Sequence, residues 1–219
     1  MQRMVMNHYR GVFTNRWGET WYSSTIRPII EAAIENETKY KKEANDKSLY
    51  TQRLHGKDWE PYELIIETQI GLVLVMCQTY ITTVISQIGN FYKDYEETFD
   101  KKLFKINTSK RALIANYGPR IKNSEYRSVQ GIDALANYFK HHEEWGSDLI
   151  SLSENEKRTA EIVSVMGARL GLALWYSRNL TKCIKKLGVD RMEDLFLLPQ
   201  IVDDWKFDIG KSFPELSLT

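Results

Sequence analysis

The stretch from Thr68 to Tyr92, TQIGLVLVMCQTYITTVISQIGNFY, carries no formal charge. Its apolar residues fall on most sides of a helix rather than along one stripe, so such a helix must be wrapped by others or lie in lipid. The run is long enough to cross a bilayer. However, Gln69, Gln78, Thr79, Thr82, Thr83, Ser86, Gln87 and Asn90 would each need a partner in hydrocarbon, so the reading is a central helix of a water-soluble bundle, with no membrane. That helix is expected to run from Pro61 to about Tyr95, roughly 50 Å at about 1.5 Å per residue. Gly71 and Gly89 within it allow a close neighbour or a small kink.

The other segments supply the wrapping. Ile26, Ile29, Ile30, Ala33 and Ile34 share one face of a helix over 24–47, which Ser24 or Thr25 can cap and Pro28 can enter. A further helix from Ser124 or Ser128 to Trp145 carries the stripe Val129, Ile132, Leu135, Ala136 and Phe139, and Gly146 is placed to end it. Ser153 and Glu156 form a capping box that opens a helix expected to continue to Gly188, in which Gly167 and Gly171 form a ridge of small residues. A short helix from Asp190 is expected to stop at Pro199, leaving a tail that orders if Trp205 and Phe207 dock. KLFKIN is the one candidate edge strand.

The expected fold is therefore all-α. It is a single domain, 1–219, built as a helical bundle around two long central helices, with 68–88 and 162–187 as the contacting pair. The core spans about 61–187, and the 24–47 helix and the 189–219 tail pack on it.

A formal charge of +1 argues against coating by nucleic acid or membrane through net field alone. Cations are nevertheless concentrated locally: Lys101, Lys102, Lys105, Lys110, Arg111, Arg120 and Lys122 surround the turn signal Gly118-Pro119. Cys77 and Cys183 sit in apolar helical stretches at unrelated spacing, which points to buried reduced thiols rather than a disulfide or a metal site. Arg3 and Arg10 are not followed by a secretory signal pattern, so the cytoplasm is the expected location. Phosphate-loop, dinucleotide-fold, zincin and nucleophile-elbow motifs are absent from the sequence, and no cofactor is expected.

The densest chemistry is ALANYFKHHEEW, Ala134 to Trp145. On a helix Asn137 and His141 share a face with Gln130, Asp133 and Glu144, whereas His142 projects with Leu135, Tyr138 and Phe139 toward the apolar side. The bland readings are a satisfied core histidine at His142 and a solvated polar helix face at Asn137, Lys140 and His141. His141 and Glu144 could face one ion, but di-iron bundles carry the opposite order, Glu-x-x-His, so no metal is expected.

A long apolar helix, a later helix ending in Asn137-Tyr138-Phe139-Lys140-His141 and a further long helix resemble, over residues 61 to 187, the HEPN-like all-helical proteins of bacterial defence and toxin–antitoxin systems. Active members of that family are metal-independent ribonucleases, and many relatives are inactive interaction or RNA-binding modules. The active proteins carry an arginine, then four to six intervening residues, then a histidine, on the helix that faces a dimer partner. Here Asn137 precedes Lys140 and His141, and the family spacing occurs only at Arg3 and His8.

The resemblance implies RNA or a protein as partner, a homodimer as one arrangement, and a site of Asn137, Lys140, His141 and His142. In it a histidine would take the 2′-hydroxyl proton, Lys140 would stabilise the phosphorane, and Asn137 would orient the phosphate. The 101–122 cations would guide the RNA backbone, with Tyr117 or Tyr126 available for base stacking. The alternative is a non-enzymatic interaction protein such as an antitoxin, an immunity protein or a complex subunit.

Overall fold

The computed structural model describes residues 8, 10–14, 22–45, 60–98, 106–142, 152–171 and 178–213. A π-helical turn, Tyr22–Ile26, runs directly into α1, Arg27–Asn45. Ser24 and Thr25 therefore lie inside a helical turn rather than ahead of the helix, and Pro28 follows that turn at the second position of α1. The charge-free stretch lies within α2, Glu60–Thr98. By length and composition its Leu64–Asp94 portion could cross a membrane, and 56% of its apolar window is buried within the fold. Ile70, Val73, Leu74, Cys77, Ile81, Val84 and Ile88 are fully enclosed.

A short helix, α3, Lys110–Asn116, occupies part of the basic segment, capped by the Ser109 hydroxyl, which accepts from the Ala112 N–H. Next comes α4, Ser128–His141, which is the main partner of α2. At Gly71 the two pack tightly: an added Cβ would lie 2.3 Å from the Phe139 ring. The same test at Gly89 meets open space, so only Gly71 serves close packing. On its far side α4 packs against α5, Glu154–Val165. Enclosed from both directions, α4 buries every residue from Ser128 to Ala136. Ser153 and Glu156 form the expected capping box at the start of α5.

The expected continuous helix to Gly188 is broken. Gly167 adopts φ +106°, its N–H donates to Ser164 O at 2.9 Å, and Ala168 N–H donates to Val163 O at 2.9 Å. That pair of bonds is the left-handed glycine stop that ends helices. Gly167 therefore terminates α5 instead of forming a packing ridge, and Gly171 also has positive φ. The next described helix is α6, Asn179–Ile184, which follows Arg178 at φ +49°. Among the described residues, α2 therefore packs mainly against α4, α5 lies behind α4, and the 162–187 segment meets α2 through α6 rather than as one continuous central helix.

Buried polar contacts secure the break. Glu67, fully buried on α2, accepts the N–H groups of Leu180 at 2.8 Å and Thr181 at 2.9 Å. Asn179 donates to Tyr138 Oη at 2.6 Å and to Arg169 O at 2.9 Å, and its Oδ1 accepts the Arg169 N–H at 2.8 Å.

A 3₁₀ turn, Met192–Phe196, leads into the last helix, α7, Leu197–Ser212. Pro199 thus sits inside the first turn of α7, where N–H groups lack intrahelical partners, and does not end a helix. Trp205 is fully buried and donates its indole N–H to Leu113 O at 3.0 Å, docking α7 on α3. Phe207 is 38% exposed. Tyr80 of α2 donates to Asp203 Oδ1 at 2.8 Å, and burial of Lys206 nearby lowers its pKa.

Among the described residues the architecture is all-α, with one isolated bridge between Arg120 and Arg127 and no strand. Ile106 and Asn107 are not extended into one, and the rest of KLFKIN lies outside the described residues. Both cysteines are buried free thiols, as their apolar settings imply. Burial pushes the Cys183 thiol up to about 12 and that of Cys77 higher still.

Candidate functional site

Gln130, Asp133 and Asn137 recur at i, i+3 and i+7 along α4, so they stand in one row. Behind them is Gln78 of α2. Its Nε2 donates to Asp133 Oδ1 at 2.7 Å and to Asn137 Oδ1 at 2.9 Å, and its Oε1 accepts from Lys140 Nζ at 2.8 Å. Lys110 of α3 completes the cluster, with Nζ 2.6 Å from Asp133 Oδ1. Charge at both ends orients every amide: the Lys140 ammonium needs the Gln78 oxygen, which turns the Gln78 nitrogen toward Asp133 and Asn137.

This row forms the floor of a cleft of about 350 Å³ between α3, α4 and α5. Lys110, Arg111 and Ile114 supply one wall, and Asn155, Arg158, Thr159 and Ile162 of α5 supply the other. Three cations thus face a single carboxylate, Asp133. Lys110 is engaged by Asp133, whereas Arg111 and Arg158 have no acidic partner among the described residues. An open cleft with this balance favours an anion, and guanidinium groups match a phosphate with paired N–H donors.

The structure brings together only part of the sequence-derived site. Asn137, Lys110 and Arg111 meet in the cleft. Lys140 belongs to the same hydrogen-bond network but sits one turn beyond the cleft. His141 is exposed at the end of α4, and its charge helps hold Glu156 below the usual carboxylate range, after the larger effect of hydrogen bonds from Ser153. His142 is half-buried, with Nδ1 2.8 Å from Phe139 O and its ring stacked on Phe139 at 6.4 Å. The two histidines therefore occupy different surroundings, as their helical positions imply.

Arg120 and Lys122 are exposed on the turn after α3, away from the cleft lining. Lys101, Lys102, Lys105 and Glu144 lie outside the described residues. Tyr126 donates its hydroxyl to Glu161 at 2.5 Å, which pushes its pKa up to about 12. Arg127, within the basic segment, is structural: its guanidinium donates to Gly118 O at 2.8 Å and Asn116 O at 3.3 Å, closing the end of α3.

The sequence reading overlooked the α5 wall. Asn155, Arg158, Thr159 and Ile162 repeat at helical spacing directly after the capping box, and that periodicity was a usable signal for a shared face. It did not say what the face would meet. Among the described residues no three His, Cys, Asp or Glu side chains gather as metal ligands. Comparison with known proteins finds no family model that matches the chain, no similar curated protein and no similar solved structure.

Proposed function

We propose that this protein is an RNA-binding member of the defence-type helical proteins it resembles, and that the cleft between α3, α4 and α5 holds the phosphodiester backbone of a single strand. One observation carries the reading: Arg111 and Arg158 enter an open cleft from opposite walls, neither neutralised by an acid among the described residues. Two such guanidiniums can clamp a phosphate between them, and the Asn137 amide on the floor adds a neutral donor. The reading concerns binding. His141 and His142, the groups nominated for proton transfer, do not line the cleft.

The test is fluorescence anisotropy with a short, mixed-sequence, single-stranded RNA over a range of salt. An Arg111→Ala/Arg158→Ala variant is expected to bind about tenfold or more weakly, and to lower the slope of log affinity against log salt by about 1.4, the value for two phosphate contacts on a single strand. Undiminished binding and slope in a folded variant would overturn the assignment of the cleft.

The interaction-protein alternative is favoured by a different observation. Leu64 and Leu72 are 43% and 46% exposed on one face of α2, beside the half-buried Val75 and Met76. Under that reading Leu64→Gln/Leu72→Gln loses a co-purifying protein while the cleft variants retain it.

A further inference from the structure

Asp133 and Lys110 form an ion pair in the cleft whose two members are held very differently. Their contact is 2.6 Å, and the Asp133 side chain is 11% exposed against 41% for Lys110. Asp133 is fixed from behind. Its Oδ1 also accepts from Gln78 Nε2 at 2.7 Å, and Gln78 is oriented in turn by Lys140, which donates to Gln78 Oε1 at 2.8 Å. The carboxylate therefore keeps a donor if Lys110 leaves. Lys110 has no second anchor: among the described residues Asp133 is the one partner of its ammonium.

An ammonium on a four-carbon stem is a compact charge that can swing, and an ion pair this open to water is weakly held. Asp133 is the one acid among the residues that line the cleft, where it faces Lys110, Arg111 and Arg158. A phosphate drawn in by the two guanidiniums meets that carboxylate as a like charge, which is unfavourable. The repulsion is screened when Lys110, adjacent in sequence to Arg111, turns from Asp133 to the phosphate. Asp133 thus stands in for a phosphate oxygen at Lys110 before a strand binds.

We infer that Lys110 is a third phosphate ligand of this cleft, and that strand binding transfers it from Asp133 to the RNA. This rests on the RNA-binding reading above and adds the exchange that regulates the site. Asp133 sets a threshold. A strand gains Lys110 only by displacing the carboxylate, so affinity is held below what the three cations alone would give.

The experiment measures anisotropy with the same single-stranded RNA over a range of salt for Asp133→Asn, Lys110→Gln and the double variant. Asp133→Asn keeps the oxygen that accepts from Gln78 and removes the competing charge. It is expected to bind about two- to fivefold more tightly, the scale of one exposed ion pair. The slope of log affinity against log salt should stay at the parental value, because Lys110 already reaches the RNA in the parent. Lys110→Gln and the double variant are each expected to lower the magnitude of that slope by about 0.7, the value for one phosphate contact on a single strand. A static pair gives the opposite pattern. The slope would then steepen by about 0.7 in Asp133→Asn, which first releases the lysine, and stay parental in the double variant, which removes a neutral pair. Either of those results, or unchanged affinity in a folded Asp133→Asn variant, would overturn the exchange and leave RNA binding standing. If Asp133→Asn does not fold, Lys110→Gln decides, and a parental slope there overturns the exchange. Absence of RNA binding by the parent protein would overturn the RNA-binding reading and this inference with it.

Discussion

The carboxylate of Glu67, in the first half of a long helix, accepts the backbone N–H of Thr181 at 2.9 Å and so caps a helix that follows far later in the chain. Arg178, at the position where a capping side chain normally stands, contributes no such bond. The substitution Glu67→Gln leaves one oxygen for two N–H groups and aims an amide nitrogen at one of them. We expect a loss of about 1–3 kcal/mol, read by chemical denaturation. A variant as stable as the parent would mean that α6 is held by its apolar face alone.

The two adjacent histidines should respond differently to truncation. His142 is half-buried, stacks on Phe139 and bonds the Phe139 carbonyl, while His141 is exposed. His142→Ala is expected to cost about 1–2 kcal/mol and His141→Ala less than about 0.5 kcal/mol. Equal shifts in melting temperature for the two variants would contradict this assignment of faces.

Stability should decline in alkali because of the thiols. Burial raises Cys183 from 9.0 to about 12, and Cys77 is raised further by burial and then by Asp203. A group whose folded pKa lies above its unfolded value stabilises fully below the unfolded pKa and loses that contribution as pH rises. From about pH 9 each thiol should therefore remove about 1.4 kcal/mol per pH unit. Tyr80, raised by burial and by Asp203, adds to the decline above about pH 10. The Cys77→Ala/Cys183→Ala variant should show a shallower fall in denaturation midpoint between pH 9 and 10. An unchanged slope, or rapid labelling of both thiols in the folded protein, would refute their burial.

Local patterns in the chain were sufficient for features whose causes are local. The Ser153–Glu156 capping box involves residues three apart, the charge-free α2 stretch can be stable only when wrapped, and the two cysteines follow the apolar faces that carry them. Gly71 could likewise be marked as a point of close approach. What it could not name was Phe139, which lies on another helix.

The breaks and the cleft depended on contacts between distant segments. Apolar periodicity ran through Gly167 because a helical pattern does not record whether a glycine takes positive φ. Left-handed Gly167 is retained where Asn179 and Glu67 satisfy the backbone groups that the break exposes. Lys140 and His141 are neighbours in sequence, yet one turns inward to Gln78 and the other outward toward Glu156. Arg158 joins Arg111 and Asn137 only because α5 packs behind α4. Helix positions set which residues share a face, but which faces oppose each other follows from minimising exposed apolar area over the whole fold, a sum no single segment contains.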